Sequence, residues 1–149
     1  MAFLTPTAIR IQVLIDEVTD PARGAIVSFL GLVRDHHEGR RVSALAYTAY
    51  EPMAEGVSAD IVTEAESRWP VRVALRHRVG ALVIGDAAVA VVAAGDHRDE
   101  AFRACQYVIE ELKRRVPIWK QETYADGSVL WVDPTAAPTA IVESEVSRA

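Results

Sequence analysis

Lysine occurs at two positions of this 149-residue chain, Lys113 and Lys120, while the other 14 of its 16 basic residues are arginine. A guanidinium stays protonated, whereas burial or a neighbouring cation can lower a lysine's pKa from about 10.4 and leave a usable amine. Amine chemistry, as nucleophile or proton carrier, is therefore confined to one short stretch. Position alone also gives each lysine an ordinary reading. Lys113 would snorkel over the core beside the negative end of a helix, and Lys120, which the strand period turns away from Trp119, would be a solvated strand side chain.

The remaining candidates fall at the ends of elements. Arg34, His36 and His37 follow an apolar strand, and His97-Arg98 opens a helix, where unpaired backbone N–H groups already favour an anion. A capping histidine beside a surface arginine is the plain alternative there. His36 and His37 lack a carboxylate or thiolate at ligand spacing and read as bystanders rather than metal ligands. His77 shares a strand face with Val73 and Leu75 and reads as a hydrogen-bonded core histidine. Cys105, the single cysteine, lies on the apolar stripe of its helix, so it is expected to be a structural thiol, with no internal disulfide and no cysteine-based zinc framework.

The elements that must hold these groups follow from periodicity. Residues 9–14 read as a first strand, 24–33 as a second, and 42–50 as its neighbour and hairpin partner. From Pro52 an apolar residue recurs every fourth position, Met53, Val57, Ile61, Ala65 and Trp69, which predicts an amphipathic helix stopping at Pro70. Residues 71–77 read as a half-exposed strand, 81–84 and 87–94 as two more, the last apolar enough to be central. Asp96 would cap a helix running to Arg115, with Ala101 or Phe102, Cys105, Ile109, Leu112 and Val116 as its stripe and Pro117 as its stop. Residues 118–124 and 129–132, joined by Asp126-Gly127, read as a closing hairpin. Two main amphipathic helices against an antiparallel or mixed sheet make an α+β domain over residues 1–132, with 133–149 expected to be a mobile tail.

Composition excludes several classes. Half the residues are hydrophobic and a quarter charged, as in one globular domain with a real core. No apolar run approaches the ~20 residues of a membrane helix, and the N-terminus lacks a signal-like pattern. A soluble, cytoplasmic protein without membrane association is expected. A net charge of −5 argues against nucleic-acid binding, which draws on a basic surface. Walker-type and Gly-x-Gly-x-x-Gly loops and a His-Glu-x-x-His helix are absent from the sequence.

These residues also carry a resemblance. The run Gly24-Ala25-Ile26-Val27 with Phe29, Gly31, Val33 and Arg34, then His77-Arg78-Val79-Gly80 with Gly85-Asp86, His97-Arg98 with Ala101-Phe102, Lys113 through Lys120, Asp126-Gly127 and Trp131-Val132 resembles the large, catalytic subunit of molybdopterin synthase. The pieces are short; their order and spacing over most of the chain make the resemblance specific. It implies the α/β hammerhead fold and a sulfur-transfer reaction, in which cyclic pyranopterin monophosphate gains two sulfurs as the dithiolene of molybdopterin. The sulfur would arrive on the thiocarboxylated Gly-Gly terminus of a small ubiquitin-like subunit, with no cofactor and no metal. The resemblance also implies that Lys113 and Lys120 are catalytic, that Val33, Arg34, His97, Arg98, Gln121 and Glu122 bind substrate, and that a homodimer carries a small subunit at each end as a heterotetramer. Leu32 stands where some family members have a basic residue.

One expectation comes from helix geometry. Arg98 and Lys113 lie at opposite ends of one helix, roughly 22 Å apart at ~1.5 Å per residue, so His97 and Arg98 are expected to complete the pocket of a neighbouring subunit. The competing readings are a non-catalytic module for a ubiquitin-like tail or small phosphate ligand, and a Schiff-base lysine enzyme acting on a carbonyl compound.

Overall fold

The computed structural model describes residues 2–132 and the backbone of 141–143. In chain order the elements are β1 (Leu4–Thr5), α1 (Ile11–Val18), β2 (Ala25–Leu32), β3 (His36–His37), β4 (Arg40–Ala49), α2 (Glu51–Arg68), β5 (Val71–Arg78), β6 (Gly80–Leu82), β7 (Ala87–Gly95), α3 (Arg98–Arg115), β8 (Ile118–Tyr124), β9 (Val129–Val132) and β10 (Ile141–Glu143). They form two sheets. The first has the order β1-β5-β7-β2, with β1 parallel to β5 and the other pairs antiparallel. The second has the order β10-β9-β8-β4-β3, with β6 also paired to β4. The expected α+β class, with a mixed sheet and helices packed on it, is what the chain adopts. Among the described residues no helix is long and apolar enough to cross a membrane.

The first sheet is built around β7, the apolar run of the sequence. It pairs with β5 on one side and β2 on the other. Strand period sends Val89, Val91 and Ala93 towards α2 and α3, where they meet Ile61, Ala65, Val108 and Leu112. The alternate set, Ala90, Val92 and Ala94, packs with Ala74 against Leu14 and Val18 of α1. Both faces being covered, β7 has no solvent side and its sequence shows no polar alternation. The same cover corrects β5: it is less exposed than its alternating arginines suggest, because Ala74 is buried on the α1 side.

Three further expectations change. Residues 9–14 are not a strand, since α1 begins at Ile11 and buries Leu14 and Val18. The alternation Ile9, Ile11, Val13 imitates a strand, yet Ile11, Leu14, Ile15 and Val18 are spaced for one helix face, and that face has a sheet to cover. Strands β2 and β4 form as expected but are not hairpin partners. The chain leaves the first sheet after Leu32, and a two-residue turn at Glu38 and Gly39, with φ of 49° and 80°, pairs β3 with β4 instead. In α2 the buried face is Ala54, Ser58, Ile61 and Ala65, while Met53 is exposed. Three of these four residues are small, which lets α2 pack closely on its neighbours.

Helix α3 starts at His97 rather than Asp96 as its cap residue, and the Glu100 carboxylate accepts a hydrogen bond from the His97 backbone N–H at 2.7 Å. Its buried stripe contains Ala101 and not Phe102, which is exposed. The closing hairpin forms as read, with Gly127 at φ 87°. Within the segment assigned to the tail, Ile141–Glu143 pairs antiparallel with β9; residues 133–140 and 144–149, the rest of that assignment, lie outside the described residues.

An ionic network ties α2 to α3. Glu64 accepts from Arg115 at 2.7 and 3.0 Å and from the Tyr107 hydroxyl at 2.7 Å, while Arg68 lies over the Tyr107 ring at 4.5 Å. The Arg115 and Tyr107 hydrogen bonds hold the Glu64 carboxyl down to about 2 from its ordinary 4.5. A depressed carboxylate contributes stability that is complete above its unfolded pKa and lost as pH falls through the folded one. Glu64→Gln should therefore melt at lower denaturant concentration than the parent above pH 4.5, and the gap should close between pH 4.5 and about 2. Parallel urea titrations across that range would measure it, and a gap independent of pH would disprove the linkage.

Candidate active site

Where β2 leaves the first sheet, its end faces the second sheet across a cavity of about 230 Å³. Gly31, Leu32, Val33 and Arg34 line one side, Tyr47 of β4 and His77 of β5 another, and Lys113, Lys120 and Glu122 close it. The two lysines meet because Pro117 stops α3. The Val116 N–H still bonds to the Leu112 carbonyl at 3.0 Å, and within two residues the chain is extended as β8. Seven positions apart in sequence, Lys113 and Lys120 thereby share one cavity.

Strand period arranges β8 across that cavity. Lys120, Glu122 and Tyr124 fall on one face, with Tyr47, Leu45 and Val42 as their register partners on β4. Gln121 falls on the opposite face and does not line the cavity. Glu122 is 1% exposed. Its Oε1 accepts from Lys120 Nζ at 2.7 Å and its Oε2 from the Tyr124 hydroxyl at 2.5 Å. Burial pushes its pKa up, but the Lys120 and Tyr124 hydrogen bonds outweigh it, so Glu122 stays ionised with a lowered pKa. Tyr124 is covered in turn by Arg40, whose guanidinium sits 3.8 Å from the ring centroid.

The lysines differ in their surroundings. Lys120 is paired with a carboxylate. Lys113 has none; it keeps part of its surface open, but protein packed around the ammonium lowers its pKa and the charge of Lys120 lowers it further. Beyond them, Arg34 Nη2 lies 3.4 Å from His37 Nδ1, which is itself 3.9 Å from Glu122 Oε1. The cavity lining therefore carries three basic side chains, Arg34, Lys113 and Lys120, against one carboxylate that is already bound. Such a lining is suited to an anionic ligand, and a deprotonated Lys113 there has the chemistry to attack an electrophile.

Of the residues singled out in the sequence, Val33, Arg34, Lys113, Lys120 and Glu122 come together. His97 and Arg98 do not: they are exposed at the far end of α3, and the His97 side chain is 86% accessible. His36, read as a bystander, lines the cavity with its ring against Asp35 at 2.8 Å. Sequence reasoning missed Tyr47 altogether, because only the β4–β8 register brings it to Lys120. His77 is buried as expected, with Nδ1 donating to the Arg78 carbonyl at 2.8 Å, but its ring also borders the cavity. Cys105 is buried, and burial pushes its thiol up to about 11, as suits a structural residue. Among the described residues no group of three or more His, Cys, Asp or Glu side chains is placed to hold a metal ion.

Known proteins share both the sequence and the fold. The MoaE protein family model matches residues 4–115. A molybdopterin synthase catalytic subunit from Nostoc sp. is 46% identical over 115 residues, 76% of this chain and 70% of the relative. One from Halalkalibacterium halodurans is 43% identical over 136 residues, 91% and 86% of the two chains. The crystal structure of molybdopterin synthase from Staphylococcus aureus superposes with a TM-score of 0.84 at 36% identity, covering 88% of this chain and 96% of that one. By the family match, by identity over most of its length and by its fold, this chain belongs to the MoaE family of molybdopterin synthase catalytic subunits.

Proposed function

We propose that this chain is the sulfurtransferase subunit of a molybdopterin synthase. It takes sulfur from the thiocarboxylated C-terminus of a small ubiquitin-like subunit and installs two sulfurs on cyclic pyranopterin monophosphate as a dithiolene. The observation that carries the reading is the pairing of Lys113 and Lys120 in one cation-rich cavity. A phosphate and a thiocarboxylate are both anions, and an acidic protein needs a local cluster of this kind to hold them. Lys113, with its lowered pKa, is the acting amine; Lys120, fixed by Glu122, is the standing charge that binds the anionic reactants. Arg34 and the backbone around Val33 form the phosphate side. Relatives named as catalytic subunits entail a second kind of subunit, which supports the small sulfur-carrying partner.

The pocket is proposed to be shared across a homodimer that forms the middle of a heterotetramer. His97 and Arg98 stand one helix length from Lys113, about 22 Å along α3, too far to hold the same small substrate within one subunit. In the dimer they serve the neighbour's cavity. Gln121, on the other face of β8 from Lys120, would reach substrate only if the assembled dimer brings it there.

The assay is turnover of cyclic pyranopterin monophosphate with a thiocarboxylated small subunit. Dithiolene product is expected, whereas tight binding of the tail without product would leave a non-catalytic module. Trapping of a carbonyl adduct by borohydride would favour a Schiff-base enzyme instead. Lys113→Ala should abolish turnover with the dimer and partner binding intact. Lys113→Arg should fail equally, since it keeps the charge and removes the amine; an active arginine variant would reduce Lys113 to a charge. Shared pockets predict complementation. Lys113→Ala and Arg98→Ala homodimers should each be impaired, and reassociation of the two should recover about a quarter of parental activity, because half the dimers then contain one intact pocket of two. No recovery on mixing would place both residues in one subunit's pocket.

A further inference from the structure

The cavity is crowded with donors. Arg34, Lys113 and Lys120 can only donate while charged, and the acceptor-only carboxylate among the lining residues, Glu122, has one oxygen on Lys120 and the other on Tyr124. Beside the Tyr47 hydroxyl, which can accept as well as donate, His77 offers the cavity a ring acceptor. Its backbone N–H is bonded to the Phe3 carbonyl at 2.8 Å, and its ring stands edge-on to Tyr47 with centroids 4.9 Å apart. Because a carbonyl can only accept, the 2.8 Å contact of Nδ1 with the Arg78 carbonyl puts the ring proton on Nδ1. Nε2 of the neutral ring is then an acceptor with no proton to give.

That atom is open to the cavity. Among the described residues the sealed side-chain polar atoms without a partner are Arg23 Nε, His37 Nε2 and Arg78 Nε. His77 Nε2 is not one of them, no hydrogen bond occupies it, and the ring lines the cavity. The ring is also kept neutral: burial, with the charge of Lys113 adding to it, lowers the His77 pKa to about 4. His36 makes the same Nδ1 contact with a carboxylate, but its side chain is 61% exposed at the rim, where water can satisfy it.

We infer that His77 is a further substrate-binding residue, its Nε2 accepting a hydrogen bond from an N–H donor of the pterin ring while the cations of the cavity hold the anionic groups. This inference rests on the reaction proposed above. It divides recognition by chemistry. A reactant carrying only anionic groups satisfies the cations and leaves the acceptor idle; a pterin, with ring and amino N–H groups, satisfies both. A buried acceptor that discriminates a ligand's donor in this way selects strongly, because a ligand lacking the donor leaves Nε2 desolvated and unpaired.

Two measurements test it. In steady-state assays with the small subunit saturating, His77→Phe should raise KM for cyclic pyranopterin monophosphate about tenfold or more while kcat falls less, the size expected for an unpaired buried group. His77→Gln, which can present an amide oxygen in place of Nε2, should recover most of the loss. An active His77→Phe enzyme with unchanged KM would overturn the inference and leave the synthase reading standing. Nitrogen NMR of the labelled parent is independent of whether the variant folds. It should show the Nδ1–H tautomer at pH 7, and cyclic pyranopterin monophosphate should shift the Nε2 resonance. An Nε2–H tautomer, a protonated ring, or an Nε2 signal unmoved by bound pterin would each overturn it. A parent protein that neither binds nor converts the pterin overturns the synthase reading and this inference together.

Discussion

A carboxylate with 1% of its surface accessible sets the terms for everything around it. Glu122 cannot remain ionised inside the protein without cations and donors, since desolvating a lone charge costs several kcal/mol. Lys120 supplies the countercharge and Tyr124 the second hydrogen bond. For all three to meet they must stand on one face of a strand, and the spacing 120, 122, 124 gives that only if β8 is extended throughout. The register with β4 then brings Leu45 opposite Glu122 and Tyr47 opposite Lys120, which closes the cavity from the second sheet. Desolvation offsets most of the attraction in a buried ion pair, so what this one contributes is the fixed place of one positive charge.

Fixing Lys120 is what makes Lys113 different. Two lysines in one cavity would share protons without preference if their surroundings were alike. Here one has a carboxylate at 2.7 Å and the other has only a neighbouring ammonium and packed protein. The first is tied to a fixed countercharge, while desolvation and the neighbouring cation lower the pKa of the second, so the two amines do not have the same surroundings. The break at Pro117 is the backbone condition for it. A helix continuing through residue 120 would carry Lys120 about 10 Å further along its axis than Lys113 and into a different environment.

Much of this was legible in the sequence, and the failures have physical causes. Lys113 and Lys120 were identifiable because arginine fills all 14 other Lys/Arg positions and proline separates them. Strand β7 was readable as an unbroken apolar run, β8 and β9 as runs joined by the Asp126-Gly127 turn, and the two long helices by helical spacing ended at Pro70 and Pro117. Residues 9–14 were misread because a short segment with apolar residues at 9, 11, 13, 14 and 15 satisfies two periods at once, and the choice was made by a sheet face that no local signal announces. Pairing β2 with β4 failed for another reason: adjacency in sequence favours a hairpin, but β7 offers β2 an apolar partner along its whole length. The α2 stripe was rotated because alanine and serine, small enough for close helix–sheet approach, carry little weight in a hydrophobic pattern. Tyr47 and the cavity face of His77 depend on cross-strand register and on the meeting of two sheets, which nothing in their neighbours' identities encodes.

The site is also where local preference and global fold disagree. Elsewhere several half-buried charges are paired: Glu17 with Arg76, Asp86 with Arg78, Glu64 with Arg115. Inside the cavity Lys113 and Lys120 repel, and the one carboxylate present is occupied by Lys120 and Tyr124. A fold under selection for stability alone would relieve this with another acidic side chain, and an acidic protein has many to spare. The unrelieved repulsion is a standing cost concentrated where an anionic ligand would cancel it, the usual place for such conflicts. Binding then does two things at once, neutralising the excess cations and raising the stability of the folded chain by mass action. Pairing Lys113 with a permanent carboxylate would remove the first effect, and with it the lowered pKa on which the proposed chemistry depends.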